Sequence, residues 1–411
     1  MSKTATQWDT PPAVPEGHYV DARIYTDPAL FAEEQHRLLR KSWKFACHVS
    51  EIPERGDYRT LNHAGYPIIV IHGDDGQIRG FLNTCSHRSS ILLEGPAGNV
   101  RSITCPFHLW SFDTRGNCVH ITRPEGYEEA GICKENRGLR EVRTEQVLGL
   151  VFINTDDQCG TLPDYIGDAL ETFSEILGTQ ELEVFHYHRV VMNANWKQWH
   201  ETNMELYHEW GHVVNRTTAV KVEGYHDRKW RLYPNGHGTL EPFAVQYKNY
   251  PGWENRASKM LPGLTEGEFR VVDIFPNTTL IARSTSLRID TSTPIAPGKT
   301  LVEYRGLGIK GESQEDRGMR QKHHNQFWGP LGRNVPEDVL FVEKVERANR
   351  DGAARFGLLA RREEGKSQDD EVLRAFYAQW QSQMQREPGN IDIITATPVT
   401  VSTAPQKRAG E

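Results

Sequence analysis

The sequence predicts an α+β fold in two parts: a small all-β module over residues 43–155, then a larger unit over residues 156–387 in which helices cover an antiparallel sheet. Three observations predict it. Short strand-like runs separated by glycine turns dominate the first part, alternating apolar segments recur between residues 219 and 308, and helical apolar spacing appears at the start, middle and end of the chain.

Taken in order, residues 30–43 keep helical spacing and define an N-terminal helical segment, residues 1–42. The chain then turns strand-like, most clearly in the run Tyr66-Pro67-Ile68-Ile69-Val70-Ile71. Gly73-Asp74-Asp75-Gly76 is a hairpin turn signal, and residues 77–83 are the return strand. Residues 100–104 form a further apolar run, Gly95, Gly98 and Gly116 mark turns, and residues 151–154 close the module. Beyond Asp156 an acidic helical stretch reaches Leu177, followed by a strand at 184–192 and a helix at 196–213. Alternating segments at 219–222, 243–247, 269–275, 280–288 and 301–308 predict the sheet. Helices at 337–356 and 369–385 close the fold, and the Pro-, Ser- and Thr-rich tail, residues 388–411, is expected to be mobile. No internal repeat is found.

The composition describes a soluble globular protein. Its 411 residues, 37% of them hydrophobic, are enough for two cores. The net charge of −7 comes with no basic block interleaved with aromatics, so nucleic acid is not an expected partner. Residues 1–20 lack a basic start followed by an apolar core, and no run approaches the length of a membrane span, so a cytoplasmic location without membrane attachment is expected. Six cysteines in so long a chain are not a disulfide scaffold. Cys47, Cys118, Cys133 and Cys159 have no Cys or His at ligand spacing and are read as small buried hydrophobes.

The other two cysteines carry the chemistry. Cys85-Ser86-His87 and Cys105-Pro106-Phe107-His108-Leu109-Trp110 are two Cys/His pairs separated by seventeen residues. A Rieske [2Fe–2S] cluster needs this donor set, two thiolates on one iron and two imidazoles on the other. Replacing two thiolates by neutral imidazoles lifts the potential from about −400 mV to roughly −150 to +300 mV, which suits a one-electron relay. A zinc site accepts the same ligands, but zinc fingers pair Cys with Cys and His with His, whereas each loop here pairs one of each.

A second constellation lies in the 196–213 helix, where His208 and His212 stand four apart and share one face. One carboxylate from elsewhere would complete a two-histidine, one-carboxylate facial triad with open positions on Fe(II) for O2 and substrate. Two exposed histidines at this spacing often have no role; the cluster motif is what gives the pair weight.

With both motifs in place, residues up to about 385 resemble the large (α) subunit of Rieske non-heme iron ring-hydroxylating oxygenases. Asn195, Trp196, Lys197, Glu205, Tyr207, His208 and His212 match that family's iron motif. Its third ligand is an aspartate after a Gly-Pro-x-Gly stretch, and here Gly329-Pro330-Leu331-Gly332 is followed by Glu337-Asp338. Aligning the glycines selects Asp338, with Glu337 as the competitor. Two departures stand out. Only three residues separate His208 from His212, fewer than the family commonly has, and Glu201-Thr202-Asn203 replaces a frequent Glu-Asn pair, so no role passes to Asn203. His200 is a spare candidate ligand.

The resemblance implies a Rieske domain at 43–155 and a helix-grip-like catalytic domain at 156–387 against which residues 1–42 pack. It implies that Cys85, His87, Cys105 and His108 hold the cluster under Trp110, and that His208, His212 and Asp338 hold Fe(II). It further implies a head-to-tail homotrimer in which Glu205 joins His108 of one subunit to His208 of the next, with a small β subunit (α3β3) compatible. With no Gly-x-Gly-x-x-Gly motif after a strand, electrons from NAD(P)H must come through a separate reductase or ferredoxin.

Two activities stay open: dihydroxylation of a small aromatic compound such as an aromatic acid, and monooxygenation by the same architecture, as in methanesulfonate monooxygenases or demethylases. The stretch 328–334 is similar to the methanesulfonate enzymes, while the seventeen-residue spacer favours the ring-hydroxylating group. A bare electron carrier would leave roughly 250 residues unexplained, since one domain of about 100–150 residues suffices for it. Arg283 and Arg288 could pair a carboxylate or sulfonate, yet their ordinary strand alternation makes surface positions the expectation.

Overall fold

The computed structural model describes residues 9–244 and 259–395. The described residues divide into two compact units, one over residues 39–162 and one that combines residues 9–38 with 163–244 and 259–395.

The first unit is built on a seven-stranded antiparallel sheet. Its strand order is Lys44–His48, Leu150–Asn154, Glu141–Val147, Ile78–Leu82, Tyr66–His72, Asp57–His63 and Ala97–Asn99. A smaller sheet pairs Ile103–Thr104, Ser111–Phe112 and Cys118–His120. The continuous apolar run at Tyr66–His72 arises because both faces of that strand are covered. Ile68 and Val70 join a core with Val151 and Ile153, while Ile69 and Ile71 join a second core with Phe81, Trp110 and Phe112. The second core also holds Cys85 and Cys105, so the metal-motif loops grow out of a packed base.

The second unit carries another seven-stranded antiparallel sheet, in the order Leu182–Met192, Lys299–Ile309, Ser286–Ala296, Thr278–Arg283, Glu268–Ile274, Gly238–Ala244 and Trp230–Leu232. The helix Trp196–Met204 is fixed to this sheet by a hydrogen bond from Trp199 Nε1 to Asp290 Oδ2 at 3.0 Å. Its N-terminus is capped by Asn195, whose side chain accepts from the Lys197 N–H at 3.0 Å. Beneath that first turn the Glu34 carboxylate accepts from Lys197 Nζ at 2.7 Å, Trp380 Nε1 at 2.8 Å and Trp196 Nε1 at 3.1 Å. Three chain segments meet at one buried carboxylate. Glu34→Ala would leave the Lys197 ammonium buried without its counter-charge, and is expected to destabilise this unit by about 3–5 kcal/mol. A urea midpoint no lower than that of the surface control Glu33→Ala would refute this.

The structure departs from the sequence expectation at several elements. The helix expected at 196–213 stops at Met204, because Glu205 adopts an extended conformation (φ −93°, ψ 98°) and its carboxylate caps a new 3-10 turn, Leu206–Trp210. The expected strand at 219–222 is a 3-10 turn, Ala219–Lys221. The expected strand at 280–288 is a hairpin, since Arg283 pairs with Ser286 across a two-residue turn. That turn contains no glycine or Asn-Gly signal; Ser284 itself takes φ 48°. The helix expected to reach residue 356 ends at Arg350, ahead of Gly352 (φ +69°), and Phe356–Leu358 pairs with Tyr19–Asp21 instead.

The helix Gln314–Trp328 was not expected at all, because the side chains it buries include Arg320, His323 and His324 as well as Phe327 and Trp328. The Arg320 guanidinium pairs with Glu312 at 2.6 Å, with both side chains buried. A Cβ at Gly306 or Gly308 would collide with His324 or Arg320, so the sheet admits this polar stripe only through those glycines. In the expected tail, Asn390–Ile394 pairs with Arg386–Glu387. Residues 396–411, like 245–247 of the expected strand at 243–247, lie outside the described residues.

Candidate functional site

The loops that carry the two Cys/His pairs share one backbone design. In the first, the Cys85 N–H donates to the Ser90 carbonyl at 2.8 Å and the Ser89 N–H to the Cys85 carbonyl at 3.0 Å. In the second, the Cys105 N–H donates to the Trp110 carbonyl at 2.8 Å and the Leu109 N–H to the Cys105 carbonyl at 3.1 Å. Each loop closes through a left-handed residue, Ser89 (φ 57°) and Leu109 (φ 61°), a conformation uncommon outside glycine. The result buries both thiols and brings the His87 and His108 rings to 4.7 Å between centroids.

Nδ1 of both rings is buried with no hydrogen-bond partner. A buried polar atom left so costs about 1–3 kcal/mol, which a group accepting two nitrogen lone pairs would remove. Two buried thiols beside two inward Nδ1 atoms fit a Rieske cluster. Burial raises the Cys105 thiol, but the backbone N–H groups of Phe107 and His108 outweigh it and favour the thiolate. Trp110, itself buried, stacks on His87 at 4.7 Å with 8° between the planes.

The second constellation forms where three short elements meet. His208 lies on the 3-10 turn Leu206–Trp210, His212 immediately precedes the helix Val213–Thr217, and Asp338 sits in the first turn of the helix Val335–Arg350. His208 Nε2 and His212 Nε2 stand 3.4 and 3.0 Å from Asp338 Oδ1. The three donor atoms lie within 4.8 Å of one another, and no other trio of His, Cys, Asp or Glu does so among the described residues. Asp338 Oδ1 is buried and accepts no hydrogen bond, as suits an oxygen meant for a cation.

The remaining ring nitrogens are held from behind. His212 Nδ1 is 2.6 Å from Glu337 Oε2, and His208 Nδ1 donates to the Glu205 carbonyl. With a metal bound, both contacts would keep the ring proton on Nδ1 and leave Nε2 as the ligand atom. Burial pushes the Asp338 carboxyl up, but His208 and His212 overcome this and hold it at about 2, while burial lowers the two histidines and Asp338 overcomes it to push both above their usual range. Two imidazoles and one carboxylate on one side of a metal suit Fe(II) with open positions.

A cavity opens beside this trio, with Asn203, Phe269, Ile281, Arg283, Arg288 and Trp328 in its walls. The Asn203 amide is fixed at both ends: Oδ1 accepts from Arg288 Nη2 at 2.6 Å, and Nδ2 donates to Asp290 Oδ2 at 3.3 Å.

Comparison with known proteins decides the family. A model of the Rieske [2Fe-2S] domain matches residues 42–135, and one of the ring-hydroxylating α subunit catalytic domain matches residues 179–386. The chain is 46% identical over 393 residues to the α subunit of 2-aminobenzenesulfonate 2,3-dioxygenase from Alcaligenes sp., covering 95% of this chain and 100% of that one. The chain belongs to the Rieske non-heme iron oxygenase α subunits. A second relative, the hydroxylase α subunit of methanesulfonate monooxygenase from Methylosulfonomonas methylovora, is 38% identical over 95% of this chain and 97% of its own. The fold is shared with naphthalene 1,2-dioxygenase from Rhodococcus sp., with a TM-score of 0.77 at 22% identity over 89% of this chain and 94% of that one.

The oxygenase α subunit therefore carries a Rieske [2Fe–2S] domain and the catalytic domain of a non-heme iron enzyme. Several readings of single residues change. His208 and His212 do not share the face of one helix; the break at Glu205 turns both toward Asp338. Glu337, the competitor of Asp338, contacts the far side of His212. His200 is no spare ligand: it is buried 3.8 Å from Asp273, and burial together with the His237 charge holds it neutral at about 3.

Arg283 and Arg288, expected at the surface, are 4% and 2% exposed and line the cavity, because the hairpin between them points both inward. Cys47 and Cys118 are buried as expected, whereas Cys133 is exposed and Cys159 partly so. Asn203, to which the sequence passed no role because Glu201-Thr202-Asn203 departs from the Glu-Asn pair, lines the cavity and accepts from Arg288. Among the described residues no helix is long and apolar enough to cross a membrane.

Proposed function

We propose that Cys85, His87, Cys105 and His108 hold the cluster, that His208, His212 and Asp338 hold the iron, and that the substrate is an aromatic acid, a sulfonate in the first instance. One observation carries the substrate class: two buried arginines share a cavity with the histidine–carboxylate trio. When bound, the iron and the cluster supply O2 activation and the second electron. The residues of the chain do the positioning. Leu206, Phe269, Val271 and Ile281 offer apolar walls for a ring. Arg288 lies 2.8 Å from Asp290 and serves to fix Asn203. The Arg283 guanidinium lies over the rings of Phe269 and Phe327, at 5.0 and 4.5 Å, which sets a cation firmly in the wall where an acid group can meet it. The sulfonate substrates named for both relatives support this reading, and the 46% identical one is a dioxygenase.

The assembly follows the same reading. Phe107 and Leu109, flanking His108, are 59% and 57% exposed. Glu205 lines an apolar groove with Phe341, Val345 and Leu358. We infer a head-to-tail trimer in which the His108 tip of one subunit enters this groove of the next. A small β subunit accompanies it, as the α designation of both relatives suggests. A ferredoxin or reductase draws electrons from NAD(P)H in the cytoplasm.

Anaerobically purified protein is expected to hold about three irons and two acid-labile sulfides per chain, with a Rieske-type EPR signal after dithionite. Arg283→Leu is expected to raise KM for an arenesulfonate about 10- to 100-fold, the ~1.5–3 kcal/mol of a charge-assisted hydrogen bond. The uncharged sulfonamide should be handled as in the wild type; equal losses for the two would sink the assignment.

A further inference from the structure

The two imidazoles of the cluster site are not equivalent. His87 Nε2 lies 3.0 Å from the Tyr127 hydroxyl, which comes from the 3-10 helix Pro124–Ala130 of the same unit. The Tyr127 ring meets His87 edge-on at 5.9 Å and Trp110 edge-on at 5.6 Å, so the phenol is wedged against the stacked His87–Trp110 pair. No hydrogen bond engages the His108 ring among the described residues, and its only buried nitrogen is the inward Nδ1.

We propose that Tyr127 is a positioning residue for the cluster: it accepts the His87 Nε2–H, locks that imidazole in place and lowers the reduction potential, leaving His108 as the outward-facing imidazole. This rests on the reading of His87 and His108 as cluster ligands. With Nδ1 turned to iron, the ring proton must sit on Nε2, so the phenol oxygen is the acceptor. An acceptor on the far nitrogen makes the imidazole a stronger electron donor, which favours the oxidised iron. The wedge also fixes the ring plane, and with it the overlap with Trp110.

The test is Tyr127→Phe in the full chain, which keeps the ring and removes the oxygen. With iron and sulfide unchanged, the midpoint potential is expected to rise relative to the wild type. A fully loaded variant with an unshifted potential overturns the proposal, whereas a wild type without sulfide would overturn the cluster reading beneath it. Pulsed EPR of the reduced wild-type protein gives a second measurement that does not depend on the variant folding. The remote nitrogens of the two imidazoles are expected to give distinct couplings, and identical couplings would equally overturn the inequivalence.

Discussion

Asp338→Ala is expected to strip the catalytic iron and abolish oxygenation while the Rieske EPR signal persists. Iron should fall from about three to about two per chain, with sulfide unchanged. The argument is local. Asp338 Oδ1 is the one carboxylate oxygen that both Nε2 atoms approach, it is buried, and it accepts no hydrogen bond. Removing it leaves two imidazoles and takes away the carboxylate that both Nε2 atoms approach, the group best placed to compensate a dication there.

The neighbouring Glu337 provides the contrast. Its carboxylate lies behind His212, at 2.6 Å from Nδ1, so Glu337→Gln disturbs the orientation of a ligand rather than the ligand set. Iron affinity in that variant should drop about 10- to 100-fold and be restored by excess Fe(II). If Asp338→Ala retains its full iron and Glu337→Gln loses it, the two residues exchange roles. The cluster belongs to a separate compact unit with its own cores, so its spectrum is an internal control in the same sample.

These residues were unequally legible in the sequence. The cluster loops could be read directly, because each packs its Cys and His within a few residues and the backbone bonds that shape it are internal to the loop. The proposed iron trio could be read only in part. His208 and His212 announce themselves as a pair, but the extended residue between their helix and their turn is set by a side-chain cap at Glu205, which propensity does not report. Asp338 lies 126 positions beyond His212, and only its place after Gly329-Pro330-Leu331-Gly332 singled it out.

The cavity was least legible. The helix Gln314–Trp328 hides its buried face as arginine and histidine, and the turn at Ser284 carries no glycine, so nothing local told that Arg283 and Arg288 face inward. Tyr127 belongs to no motif; its partner is forty residues away in the chain.

Glu205→Gln is expected to keep both metals and lose about 100-fold in turnover. The carboxylate accepts from the His208 N–H at 3.0 and 3.2 Å, and a glutamine oxygen can still make that cap, so the turn carrying His208 should survive. What glutamine lacks is the negative charge at the groove, where the outward nitrogen of a neighbouring His108 would seek an acceptor. The deficit should therefore appear in the reoxidation rate of the reduced cluster by O2 and substrate, not in the iron content or in reduction by dithionite.

Mixed trimers locate the effect. Chains with Cys85→Ser, which lose the cluster, and chains with Asp338→Ala, which lose the iron, should regain activity when assembled together if the electron crosses between subunits. Placing Glu205→Gln on the iron-bearing chain should then silence the mixture, and placing it on the cluster-bearing chain should leave it active. Activity retained with Glu205→Gln on the iron-bearing chain would remove Glu205 from the transfer path and reduce it to the cap of the His208 turn.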